Sequence, residues 1–145
     1  MKVLILCTGN SCRSQMAERF FKYYLNEKGT IRAAAEVHSA GIEPTGINPY
    51  TVRVMREAGL DLSGQESKSL ELFINEEFDY IITVCDHAAA KCPVFPGEGV
   101  RLHWPFEDPA DATGTEEEIL KKFRKVRDEI ETRVKNWLRQ NPKSR

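Results

Sequence analysis

The chain has 145 residues, 41% of them hydrophobic and 30% charged, with a formal net charge of −1 at pH 7. That length suits a single domain, residues 1–145, able to bury a core without metal or disulfide staples. The near-neutral charge speaks against a nucleic-acid or anionic-membrane partner. No apolar run approaches the ~20 residues of a membrane span, and the stretch Val3 to Leu6 is too short for a secretory leader. A cytoplasmic location is therefore expected, where four cysteines serve chemistry rather than stapling.

Val3-Leu4-Ile5-Leu6 is a continuous apolar run, the pattern of a strand buried on both faces of a parallel sheet. Gly9, Asn10 and Ser11 break it, and a helical period follows. Met16, Phe20 and Tyr24 form one stripe, with Ala17, Phe21 and Leu25 beside it and Gly29 as a stop. Ala33 to Ser39 reads as a weaker strand ended by Gly41. Asn48-Pro49 opens a second helix, with proline where its missing N–H does no harm, and Gly59 closes it. Leu70 to Ile74 suggests a short helix, Tyr80 to Val84 a β-branched strand, and Val100 to His103 a fourth strand.

The last helix has the strongest pattern. Thr115 and Glu118 have capping-box spacing, and Ile119, Phe123, Val126, Ile130, Val134 and Trp137 recur along one face for about five turns. Strands alternating with helices predict an α/β fold, an open parallel four-stranded sheet flanked by helices with right-handed crossovers. Sites in such sheets form beyond the carboxyl ends of strands, where Cys7 and Cys85 fall.

Cys7-Thr8-Gly9-Asn10-Ser11-Cys12-Arg13-Ser14 reads Cys-x5-Arg-Ser between a strand and a helix. A short loop before a helix N-terminus turns backbone N–H groups inward as a phosphate-type anion nest, a P-loop. Gly9 is expected to allow backbone conformations that other residues resist. Arg13 offers a planar fork to two oxygens of a tetrahedral oxyanion. The same field favours the thiolate of Cys7, which can then attack without a histidine base, and Ser14 is placed to donate a hydrogen bond to that sulfur. A plain polar turn after a buried cysteine is the bland alternative. Zinc is another, but the spacing Cys85-x6-Cys92 is too wide for the usual pair, and no metal is expected.

The loop near residue 10 and the later Glu107-Asp108-Pro109 resemble the low-molecular-weight protein tyrosine phosphatase family. Cys12-Arg13-Ser14-Gln15-Met16-Ala17-Glu18, Ser39-Ala40-Gly41-Ile42-Glu43, Val84-Cys85, Lys91-Cys92-Pro93 and His103-Trp104 resemble its thioredoxin-coupled arsenate reductase branch. The likeness runs from Val3 to about Trp137. It implies that Cys7 attacks arsenate, that Asp108 protonates the departing oxygen, and that residues 8–14 cradle the oxyanion. It also implies that Cys85 attacks the arsenic-bearing sulfur adduct, releasing arsenite and leaving a redox-active disulfide. Cys92 then takes over that disulfide and presents it to thioredoxin, with no bound cofactor, in a detoxification role.

Phosphate and sulfate are the competing oxyanions, a monomer is expected, and weak phosphatase activity can accompany reduction. Cys12 is assigned a structural role, since the cycle uses three thiols. Glu107 stands as a rival acid, and the histidines read as structural or surface. Some relatives bind potassium through groups matching Asn10, Glu18 and Ser39, with further ligands from the segment Glu66-Ser67-Lys68. A lysine there disfavours a cation, so none is predicted. The competing reading is a phosphatase, against which Ala110 replaces the aromatic residue usual after Asp108-Pro109. Finally, Asp86 to Lys91 is helix-favouring. A helix would hold the Cα atoms of Cys85 and Cys92 about 10.5 Å apart, so their disulfide is expected to require unwinding.

Overall fold

The computed structural model describes residues 1–27, 35–85 and 94–140. Four parallel strands form one sheet in the order β2-β1-β3-β4. They are β1 (Lys2–Cys7), β2 (Glu36–Gly41), β3 (Tyr80–Thr83) and β4 (Val100–His103). The helices are α1 (Arg13–Lys22), α2 (Pro49–Glu57) and α3 (Glu116–Gln140). The expected α/β architecture is the observed one. Three expectations lie outside the described residues: the stop at Gly29, the start of β2 at Ala33, and the 86–93 segment with His87 and Cys92.

Side chains alternate across β1, and each side meets a different layer. Val3, Ile5 and Cys7 face the larger core with Met16, Phe20, Phe21, Met55, Phe123 and Ile130. Leu4 and Leu6 face a smaller one with Phe73, Phe78, Ile81 and Phe95. Both faces of β1 are covered, which is why its sequence shows no alternation. Its carboxyl end consequently opens at the centre of the sheet, between β2 and β3.

The local signals act as their chemistry dictates. Asn48 caps α2, its side chain accepting from the Tyr50 N–H at 2.8 Å, and Gly59 closes the helix at φ +82°. Thr115 and Glu118 exchange capping bonds at 3.2 and 3.3 Å at the start of α3. Several boundaries shift. The Leu70 segment is a single 3-10 turn, Leu70–Phe73, and α1 passes into a π-helical turn at Tyr23–Glu27. On α3 the buried ends of the stripe are Leu120 and Leu138, while Ile119 and Trp137 lie half-buried beside them. The two readings share Phe123, Val126, Ile130 and Val134 and differ only at the ends, where residues adjacent in sequence flank the same stripe. Trp137 instead packs edge-on to Phe21, 5.8 Å between ring centroids.

Candidate active site

Gly41 is the last residue of β2, not a breaker after it. A Cβ there would lie 2.5 Å from the Thr8 carbonyl oxygen and 2.9 Å from the Asn10 nitrogen. The strand end and the Cys7 loop are thus in backbone contact, and only a residue without a side chain fits.

The loop carbonyls point outward and are met there by donors. Thr8 O accepts from Glu43 N at 3.0 Å and Ser11 O from Asn48 N at 3.2 Å. Gly9 O accepts from Thr45 N at 3.1 Å and from the Ser67 hydroxyl at 3.2 Å. Carbonyls engaged on the outside suit an anion nest, which needs amides turned inward, and the Asn10 N–H does turn toward the Cys7 sulfur. The residue of unusual backbone is Asn10, at φ +49°, and not Gly9 as expected from its sequence. Asparagine tolerates this left-handed conformation better than most residues. At Gly9 the nearest atom to an added Cβ is Thr45 Oγ1 at 3.0 Å, the end of a side chain that can turn aside.

Behind the loop, Asn10 is fully buried and saturated with hydrogen bonds. Its Oδ1 accepts from the Lys68 N–H at 2.8 Å and from Gln15 Nε2 at 3.0 Å, so its Nδ2 must face the other way. There it donates to Ser14 Oγ at 2.8 Å and Ser39 Oγ at 2.9 Å. Ser14 Oγ lies 2.8 Å from Cys7 Sγ. With Asn10 donating to one lone pair of Ser14 Oγ, the Ser14 proton is free to be shared with the sulfur. The Asn10 N–H donates to the same sulfur at 3.1 Å. The sulfur thus has the Ser14 hydroxyl and the Asn10 N–H both within hydrogen-bond reach.

The chain of bonds continues from Ser39 Oγ to Glu18 Oε1 at 2.5 Å, and Lys22 closes on the other Glu18 oxygen. The Lys68 ammonium lies elsewhere. Its Nζ lies over the Phe73 ring, 5.5 Å from the centroid. Glu18 is 1% exposed, so removing Lys22 strands a buried carboxylate. Lys22→Met should therefore cost roughly 2–3 kcal/mol, less than the ~3–5 of a fully enclosed pair because Lys22 keeps contact with water. Lys22→Arg should cost far less. Urea unfolding of the two variants checks this, and equal midpoints for Lys22→Met and the parent would refute it.

On the open side, Cys7, Thr8, Gly9, Ser11, Cys12, Arg13 and Asp108 line one cleft of about 470 Å³, rimmed by Thr45 to Pro49 and by Ala110. Cys12, the N-cap residue of α1, makes no side-chain capping bond, and Cys12 and Arg13 both line the cleft, so the helix starts at its wall. Arg13 is 7% exposed, its Nη1 donating to the Phe106 carbonyl at 3.0 Å and its Nη2 lying 3.5 Å from Asp108 Oδ2. Asp108 Oδ1 accepts from the Ala110 N–H at 3.0 Å. The neighbouring Glu107 turns away to Lys122 and Lys125, 3.2 Å from each, and is not on the cleft. Hydrogen bonds from Lys125 and Lys122 hold its carboxyl below the usual range. Of the two candidate acids, only Asp108 faces Cys7's cleft.

Asn10 and Ser14 are behind the loop, so of the predicted cradle their side chains support the sulfur and do not line the cleft. Cys12 lines it but is 4% exposed, and burial pushes its thiol up, in keeping with a structural role. Cys85 is fully buried in the same core cluster as Cys7. β1 and β3 are adjacent with Leu6 opposite Thr83, and Val84 N donates to Leu6 O at 3.0 Å. Cys85 thus follows directly where β3 passes the Cys7 end of β1. His103 Nδ1 bonds Thr83 Oγ1 at 2.6 Å and His38 packs on Phe73, both away from the cleft. Sequence reading missed the supporting roles of Gln15, Thr45 and Ser67. The one available signal was Ser14-Gln15 and Glu18 on a helix face that is otherwise apolar.

The arrangement can hold a tetrahedral oxyanion between inward amides and Arg13, with a sulfur nucleophile at its floor and a carboxyl at its rim. A family profile described as low molecular weight phosphotyrosine protein phosphatase matches residues 2–144. An arsenate reductase of Bacillus licheniformis is 49% identical over 135 residues, 93% of both chains. The solved structure of an arsenate reductase in the phosphate binding state superposes with a TM-score of 0.73 at 32% identity, covering 96% of this chain and 97% of that one. A thioredoxin-dependent arsenate reductase of Corynebacterium glutamicum gives 0.69 at 26% identity, covering 96% of this chain and 60% of that one. With the Cys7 loop, the parallel sheet and these likenesses in agreement, the chain belongs to the low molecular weight phosphotyrosine protein phosphatase family and groups there with the arsenate reductases.

Proposed function

We propose that this protein reduces arsenate to arsenite, with thioredoxin as the reductant. The observation that carries the reading is a second buried thiol, Cys85, at the end of the strand beside Cys7. Hydrolysis of a phosphate ester has no use for it, whereas a two-electron reduction needs a dithiol. Arsenate binds in the Cys7 loop, and the Cys7 thiolate attacks arsenic while Asp108 protonates the departing oxygen. The Cys85 thiolate then attacks Cys7 sulfur. The S–As bond breaks with its electron pair left on arsenic, arsenate becomes arsenite, and a Cys7–Cys85 disulfide remains. Cys92 attacks Cys85, frees the Cys7 thiolate and carries the disulfide to thioredoxin, whose dithiol returns two electrons.

Relatives supply the substrate and reductant, and the site supplies the chemistry. The protein acts as a cytoplasmic monomer with no bound cofactor in this reading, and among the described residues no helix is long and apolar enough to cross a membrane. Cys85→Ser separates the two chemistries of the family. It should abolish thioredoxin-coupled arsenate reduction yet leave slow hydrolysis of p-nitrophenyl phosphate, which uses only Cys7, Arg13 and Asp108. Arsenate turnover by Cys85→Ser at the parent rate would overturn the relay.

A further inference from the structure

The loop that carries Asp108 is strapped from both sides. Toward the cleft, Arg13 takes the Phe106 carbonyl at 3.0 Å and the Asp108 carboxylate at 3.5 Å. Between these two residues, Glu107 points the opposite way, and its carboxylate accepts from both Lys122 and Lys125 of α3 at 3.2 Å. Asp108 has extended backbone, φ −83° and ψ 112°. In extended chain, neighbouring side chains project to opposite sides, so a residue held on one side aims its successor at the other. Pro109, buried directly after Asp108, prevents the chain from relaxing past the turn.

We propose that Lys122 and Lys125 are positioning residues for the general acid: by holding Glu107 against α3 they aim Asp108 into the Cys7 cleft. This rests on the reading of Asp108 as the acid. Neither lysine touches the cleft, and each is 3.2 Å from the same carboxylate, so the pair forms a two-point latch. Hydrogen bonds from the lysines keep Glu107 below the usual carboxyl range, so the latch stays charged at neutral pH. Exposed ion pairs contribute little to global stability. Their effect here is local, on the orientation of one side chain whose proton transfer depends on alignment.

The test is a double-mutant cycle on single-turnover arsenite release, which needs no added reductant. Four proteins are compared: the parent, Lys122→Met with Lys125→Met, Asp108→Asn, and the combination of all three. The methionines keep the packing of the lysine stems while removing the charge. The lysine pair should slow release about three- to ten-fold in the parent, as weak pairs acting on one aligned group allow. It should change the rate less than about two-fold in the Asp108→Asn background, because no acid is left to misalign. Glu107→Gln should reproduce the lysine phenotype from the other side of the latch. Equal slowing in both backgrounds, or none in the parent, overturns the latch while an impaired Asp108→Asn leaves the acid assignment standing. An unimpaired Asp108→Asn overturns the acid assignment and the latch with it.

Discussion

Cys7→Ser should lower arsenate reduction by on the order of 10⁴-fold or more, to the background of the coupled assay. Two losses combine. A serine hydroxyl at this position has no histidine among the described cleft residues to take its proton, and it is a far weaker nucleophile than sulfur. Oxygen also cannot enter the disulfide that supplies the electrons. The inward amides and Arg13 are untouched, so oxyanion binding should survive. Phosphate at about 100 times its Kd should still stabilise the variant by roughly 2.7 kcal/mol, seen as a raised Tm. Turnover of the pure variant within ten-fold of the parent would dismiss Cys7 as the nucleophile.

Gly41→Ala carries the second-largest expectation, and at a residue with no chemistry of its own. The added methyl must displace backbone, being 2.5 Å from Thr8 O, 2.9 Å from Asn10 N and 3.0 Å from Thr8 C. None of these is the movable end of a side chain. Overpacking of this kind costs about 1–3 kcal/mol in stability. The catalytic loss should exceed what that implies, since Thr8 and Asn10 belong to the nest itself, and an error near 1 Å can cost about 100-fold. Gly9→Ala is the control, because its added methyl meets the Thr45 hydroxyl, a group that can rotate away. Arsenate kcat/KM and urea unfolding of both variants decide the matter. A Gly41→Ala protein as active as Gly9→Ala would mean that the strand does not set the loop.

The elements were largely legible in the sequence because their signals are local. An unalternating Val3–Leu6 announces a strand covered on both faces, Asn48-Pro49 and Gly59 bound a helix, and Thr115 with Glu118 starts another. Each depends on residues within one or two turns of each other. Cys-x5-Arg between a strand and a helix was readable for the same reason, since the loop's chemistry lies within eight consecutive residues.

What the sequence by itself determined, then, is the order of elements, the Cys7 loop, and Cys85 at a strand end. Only the tertiary structure decided what surrounds that loop. Pairing of β2 with β1 brings Gly41 against Thr8, and Glu43, Thr45, Asn48 and Ser67 supply the donors that meet the loop carbonyls. Packing of α3 decides between two adjacent carboxyls, drawing Glu107 to Lys122 and Lys125 and leaving Asp108 to Arg13. Hydrogen bonds and ion pairs between residues 15 to 95 positions apart leave no periodicity to read. Their partners are chosen by strand pairing and helix packing, which bring distant residues within the 3 Å at which a polar group must be satisfied once it is buried.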